Sequence, residues 1–220
     1  REKNGSLELR GLSYFVNECD RYAVQEAVKL KEKYGGEVVV ITVGPEHAKD
    51  TIYESLGRGA DRAIHVNCNL GFPEDPFLIA TIISKVVSAE EFDLLMCGAQ
   101  SVDTSTCQTG GILANLLNLP YVWGVIKIDK IEDGKIVVQR EVESNLFEVL
   151  ELNLPALLAV QSGITELGYV SFAALKAARK KEVKTIKLED LNINLDDLRF
   201  WNVKKLYIPK RELEAKIISG

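Results

Sequence analysis

Apolar positions recur in two rhythms along the first 120 residues. Glu37-Val38-Val39-Val40-Ile41-Thr42-Val43 is a β-branched, almost wholly apolar run ended by Gly44-Pro45. Such a run predicts a strand buried on both faces of a parallel sheet. Between Glu46 and Leu56 the spacing changes to four, with Ala48, Ile52 and Leu56 on one side. That stretch predicts an amphipathic helix closed by Gly57 and Gly59. The same alternation repeats: strands are predicted over Ala63–Val66 and Leu94–Cys97, and helices over Asp20–Tyr34, Phe77–Val87 and Gln108–Leu117. Strand and helix in this order predict an α/β fold, an open, mostly parallel sheet with right-handed helical crossovers.

After Pro120 the texture changes. Val122–Ile128 and Lys135–Val142 are β-rich and joined through Glu132-Asp133-Gly134, a hairpin signal. Leu146–Leu152 and Ala156–Val160 predict two more strands, so residues 121–160 are expected to form an antiparallel extension of the sheet. Phe172–Lys181 predicts a short helix that ends in Lys176, Arg179, Lys180 and Lys181. From Val183 onward polar segments alternate with isolated apolar residues. The expected division is therefore an α/β domain over 1–182 and an arm over 183–220 that seeks another surface. A doubly wound sheet normally begins with its central strand. Only the polar Leu7-Glu8-Leu9-Arg10-Gly11 turn region precedes the first helix, so a strand ahead of the given sequence is expected.

Composition narrows the classes. An apolar fraction of 46% supports a real core. Net charge is -5, from 27 Lys plus Arg against 32 Asp plus Glu, which argues against non-specific nucleic-acid binding as the main role. No window reaches the roughly 18 apolar residues of a membrane helix, and Arg1-Glu2-Lys3-Asn4-Gly5 has no secretory h-region. Cys19, Cys68, Cys97 and Cys107 form no C-x-x-C pair, which points away from zinc and towards reduced thiols in an intracellular chain. His47 and His65 have no neighbours suited to metal or nucleophilic chemistry, and Glu141 and Glu143 read as surface strand charges. Trp123 and Trp201 are expected to pack.

The stretch Cys97-Gly98-Ala99-Gln100-Ser101-Val102-Asp103-Thr104-Ser105-Thr106-Cys107-Gln108-Thr109-Gly110-Gly111 stands apart, because it carries small residues and hydroxyls but no Lys or Arg. It lies between a predicted strand and a helix start, where open α/β sheets bind ligands and a helix N-terminus seats phosphate. Thr104, Ser105, Thr106 and Thr109 offer hydroxyls, Gly110-Gly111 permit close backbone approach, and Gln100 and Gln108 can bond a base edge or ribose. On the same residues, Asp103 to Thr106 could simply cap the helix. Spacing leaves both readings open.

Taken in order, several pieces resemble the small (beta) subunit of electron-transfer flavoprotein. They are Asn17-x-x-Asp20-x-x-Ala23-x-x-Glu26-Ala27, Val43-Gly44-Pro45, Gly59-Ala60-Asp61-Arg62-Ala63-Ile64-His65-Val66, Gly98-x-Gln100-Ser101-x-Asp103 through Gln108-Thr109-Gly110, Leu154-Pro155-Ala156 and Lys176-Ala177-x-Arg179-Lys180-Lys181. The resemblance runs from about residue 15 to the end. It implies a Rossmann-like, adenine-nucleotide-binding fold and a partner alpha subunit that carries most contacts to a shared FAD. The implied electron donors are flavin dehydrogenases, the acceptor is a membrane quinone oxidoreductase, and the compartment is the cytoplasm, or the mitochondrial matrix in a eukaryote.

By the same resemblance an AMP is buried in this subunit. Its phosphate sits on the loop Gly98-Ala99-Gln100-Ser101-Val102-Asp103-Thr104-Ser105-Thr106-Cys107-Gln108-Thr109, with Asn17-Glu18-Cys19-Asp20 and Val43 completing the pocket. Tyr169, Phe172 and Lys176 are implied to face partner proteins. In place of the family's usual Asn-x-Pro-Arg-Tyr recognition loop, the chain has Thr165-Glu166-Leu167-Gly168-Tyr169, which leaves the choice of dehydrogenase open. The family's first strand and last helix fall outside the given sequence. Electron-bifurcating members hold a second FAD where others hold AMP, and Asp103–Gly110 shares features with both versions. Rivals from other classes are an ATP-hydrolysing or adenylating enzyme and a stand-alone nucleotide-binding protein. The first lacks a Gly-rich pyrophosphate loop and cationic clamp here, and the strands after residue 120 argue against the second. No catalytic constellation is found, as befits a carrier that needs only a flavin near the surface.

Overall fold

The computed structural model describes residues 13–70, 75–143 and 146–194, the backbone of 2–3 and 6–7, and residues 198, 204 and 207. Strands β1 (Glu2–Lys3) and β2 (Ser6–Leu7) form a small antiparallel pair. Helix α1 (Glu18–Tyr34) follows Asn17, carries acids in its first turn and lysines in its last, and so matches the helix dipole at both ends. The β-branched run becomes β3 (Val39–Gly44); one 3-10 turn, Glu46–Ala48, leads into α2 (Lys49–Gly57). Next come β4 (Arg62–Asn67), then α3 (Pro76–Val87), which Asp75 caps by accepting from the Phe77 N–H. Strand β5 (Leu94–Gly98) and α4 (Thr109–Leu116) bracket the loop singled out above. The chain continues through β6 (Tyr121–Glu132), β7 (Lys135–Glu141), β8 (Phe147–Asn153), β9 (Ala156–Val160), α5 (Phe172–Ala178) and β10 (Val183–Lys187).

The α/β architecture holds, with parallel strands and helices on both faces. Among the described residues the strands fall into two larger sheets, ordered β10-β4-β3 and β5-β9-β6-β7-β8. Among the described residues β3 pairs with β4 and β5 pairs with β9. Two helices tie the sheets together. Ala80 and Ile83 of α3 pack with Leu95 and Leu157 of the second sheet, while Leu78 and Ile82 pack with Ile64 and Val66 of the first. On the second sheet, α1 sets Tyr22 and Ala23 against Leu94, Met96 and Leu158, and its Lys31 reaches β4.

Two expectations need correction. Residues 121–160 are only partly antiparallel: β9 is parallel to both β5 and β6, and the antiparallel part is β6-β7-β8. The reason lies in Ala156–Val160, which is buried at every position, as a central parallel strand should be. Val183–Lys187, expected to open the arm, instead pairs in parallel with β4, with Lys184, Thr185 and Lys187 exposed. The rest of the expected arm lies almost wholly outside the described residues, as do Trp201 and residues 8–11. Among the described residues, no helix is long and apolar enough to cross a membrane.

A polar joint fixes α1 and α2 to the first sheet. Lys31 Nζ lies 2.9 Å from Asp61 Oδ1 and also donates to Gly59 O, and the Val38 N–H donates to Asp61 Oδ2 at 2.8 Å. Lys181 turns inward to donate to Leu56 O and Ala60 O at the end of α2. Burial pushes the Asp61 carboxyl up, but the Val38 N–H, Lys31 and the Lys181 charge outweigh it and hold it below the ordinary 3.8. A carboxylate whose folded value is depressed stabilises the fold fully above its unfolded value and loses that contribution as pH falls through the folded one. Asp61→Asn should therefore melt below wild type at about pH 7, with the gap shrinking towards zero at about pH 3. Paired melting curves across that range check it.

Candidate functional site

The loop from Gly98 to Gln108 leaves the C-terminal end of β5 and runs to the start of α4. Helix α1 holds its first half through two side chains. Asp20 Oδ1 accepts from the Gly98 N–H at 2.7 Å, and Asn17 Nδ2 donates to Asp20 Oδ2 and to Gln100 O, each at 2.8 Å. Asn17 Oδ1 accepts from the Val102 N–H at 3.0 Å. A Cβ on Gly98 would stand 2.8 Å from the Asp20 backbone nitrogen, so only glycine admits this approach. The second half turns on itself: Ser105 N–H bonds Ser101 O, and Ser105 and Cys107 take left-handed φ values of 54° and 55°. Non-glycine residues rarely adopt that region, and such strain gathers at functional turns.

Helix α4 then begins bare. Its N-cap is Gln108, which makes no side-chain cap bond. Asp103 to Thr106 therefore do not cap it. The left-handed Cys107 followed by the right-handed Gln108 and the first helical N–H groups form a nest of backbone donors, a recurrent anion seat. Gly110 also has a packing role. A Cβ at Gly110 would lie 2.9 Å from Cys97 Sγ, and one at Gly111 would lie 3.4 Å from the Tyr121 ring. Gly110 thereby makes room for Cys97 beneath the helix.

Beside this helix start lies an open depression of about 470 Å³, lined by Cys107, Gln108, Gly111, Ile112, Tyr121 and Trp123. Its wall is aromatic and apolar. Trp123 is 39% exposed and donates its indole N–H to Ala99 O at 3.0 Å, so it braces the loop from the opposite side to Asn17. Its position as the third residue of an extended strand carries no local signal of that role. Burial pushes the Cys97 thiol well up and the Tyr121 hydroxyl to about 12, so both stay neutral near pH 7 and neither is a nucleophile or base there.

Structure separates the other expected contacts. Glu18 is exposed and Cys19 is a half-buried free thiol at the start of α1, beside Asn17 and Asp20. Val43 packs against the cluster of Ile64, Val66 and Leu78, which leaves its backbone at the end of β3 as its offer to a ligand. His65 is fully buried with Nε2 2.9 Å from Gly44 O, and His47 lies against Tyr14, ring centroids 4.2 Å apart. Both sit where structural histidines belong. Far along the chain, Tyr169 is 92% exposed and Phe172 82% exposed, with Lys176 exposed one helical turn on. Ser171 caps α5 between them, accepting from the Ala174 N–H at 3.1 Å. Phe172 is thus a surface residue and makes no core contact that would account for it.

Comparison with known proteins points one way. The family model described as electron transfer flavoprotein domain matches residues 7–191. Electron transfer flavoprotein subunit beta of Methylophilus methylotrophus is 31% identical across 100% of this chain and 86% of its own length. Its namesake in Thermoanaerobacterium thermosaccharolyticum is 33% identical across 98% of this chain and 84% of its own. The Mus musculus protein of that name is 34% identical across 84% of this chain and 73% of its own.

Proposed function

The chain belongs to the electron transfer flavoprotein family as a beta, or small, subunit, and from that premise we propose that it seats an AMP on the Gly98–Thr109 loop. Electrons would pass from flavin dehydrogenases to a membrane quinone oxidoreductase through an FAD held mainly by the alpha subunit. The family carries electrons and performs no catalysis of its own, and the two neutral buried groups beside the loop suit that role. The observation that carries the nucleotide reading is the uncapped start of α4, preceded by a nest and by Thr104, Ser105 and Thr106. With no Lys or Arg in the loop, a single phosphate bound by backbone dipoles fits better than a triphosphate. When bound, the flavin supplies the one- and two-electron chemistry; this chain's part is to hold, orient and shield.

A second reading, a second FAD in place of AMP, draws support from the aromatic depression of about 470 Å³ beside the loop, which could take a planar ring. Denaturing the purified heterodimer and counting released nucleotides decides between them. One FAD plus one AMP per heterodimer is expected. Two FAD and no AMP would replace the first reading with the second, and no adenine nucleotide beyond one FAD would sink both.

A further inference from the structure

The segment ahead of Tyr169 and Phe172 is held to α1 and α2 by hydrogen bonds at Gly168. Among the described residues, Gly168 makes the only hydrogen bonds found between 162 and 170, and it makes them in both directions. Its N–H donates to Gln25 Oε1 of α1 at 3.3 Å, and its carbonyl accepts from Arg58 Nη1, just past α2, at 3.2 Å. The Arg58 side chain is only 9% exposed, and its Nη2 donates to Glu54 Oε1 at 3.1 Å. Arg21 of α1 lies 2.8 Å from that same oxygen, so α1 and α2 are joined beneath the grip. Apolar contacts flank it: Ile164 packs on the core of the second sheet, and Val170 sits so close over Gly57 that an added Cβ would be 2.9 Å from its Cγ1.

Side chains as exposed as Tyr169 and Phe172 are not placed by packing. Their direction is set by the backbone from which they project. We infer that Gln25 and Arg58 are positioning residues for partner docking: by gripping Gly168 on both sides they fix how Tyr169 and Phe172 are presented to an electron-donating flavin dehydrogenase. The inference rests on reading those two aromatics as the recognition residues. Pre-organised anchors bind better because less freedom is lost on docking.

The test uses the heterodimer carrying Gln25→Leu, Gln25→Glu or Phe172→Ala, with the flavin dehydrogenase that reduces the wild-type heterodimer as probe. Gln25→Leu removes the acceptor of the Gly168 N–H, and Gln25→Glu keeps one. Gln25→Leu should raise KM for the heterodimer about fivefold or more while kcat and flavin content hold, and Gln25→Glu should recover most of the loss. Chymotrypsin should cut after Tyr169 and Phe172 faster in the Leu variant than in wild type, well below either melting temperature. A wild-type KM for Gln25→Leu beside a raised KM for Phe172→Ala overturns the grip and spares the recognition reading. Wild-type values in both overturn the two together. Should Gln25→Leu melt early, unchanged chymotrypsin cleavage in the folded state still overturns the grip.

Discussion

Asp20→Ala is expected to lower both the stability of the chain and its nucleotide content. The carboxylate accepts the Gly98 N–H, and it also holds the Asn17 amide that bonds Gln100 O and Val102 N–H. Hydrogen bonds to a charged acceptor contribute about 1.5–3 kcal/mol, and a stranded donor adds its own cost, so a loss of roughly 2–3 kcal/mol is expected. For a chain of this length that lowers Tm by about 5–10 °C. Nucleotide release should follow, because Gln100 to Val102 would lose the backbone position that aims the loop. Asp20→Asn keeps an oxygen for Gly98 and should recover part of both effects. Melting curves with nucleotide analysis of the purified heterodimer check this; full retention of nucleotide in Asp20→Ala would show that α1 does not govern the loop.

Thr106→Glu should expel the nucleotide with little cost to the helix. Thr106 is half-buried and lies three residues ahead of α4, in the turn between Ser105 and Cys107. A carboxylate there can approach the helix N–H groups that a phosphate would use. An acid near a helix start is favourable by about 0.3–1 kcal/mol. Against a bound phosphate it is unfavourable: unit charges about 4 Å apart near a protein surface repel by roughly 4 kcal/mol, on the order of a thousandfold in affinity. FAD held by the alpha subunit should remain, and any stability that came from the small subunit's nucleotide should be lost with it. Measured nucleotide per heterodimer separates the outcomes. Unchanged content with unchanged or slightly higher Tm would sink the phosphate seat.

Much of this was legible before any coordinates. The strand over 39–44, though half-buried rather than buried on both faces, the helices over 18–34 and 76–87, and the loop at 98–108 follow from periodicity and turn chemistry, which act within a few residues. What escaped depends on contacts between distant residues. Asp20 meets Gly98 across 78 positions, and Asn17 meets Gln100 across 83. The family resemblance placed residues 17–20 near the loop but not as its tether. The parallel pairing of Ala156–Val160 was misjudged because a short apolar run reads the same in either orientation. Gly110 was read only as room for a ligand, whereas it also makes room for Cys97 beneath the helix. Lys181 shows the same limit: a basic run at a helix end says nothing about which lysine folds back onto another helix.

The composition of β3 bears on how the protein misassembles. Val38-Val39-Val40-Ile41-Thr42-Val43 has six consecutive β-branched residues with no charge, proline or glycine, the composition that stacks into cross-β aggregates. Its two faces are covered, by α2 with Val38 and Val40 and by α3 with Val39, Ile41 and Val43, while its outer edge pairs with no described strand. Loosening α3 would bare one face of this run, so aggregation would begin from a nearly native species and track local opening more closely than Tm.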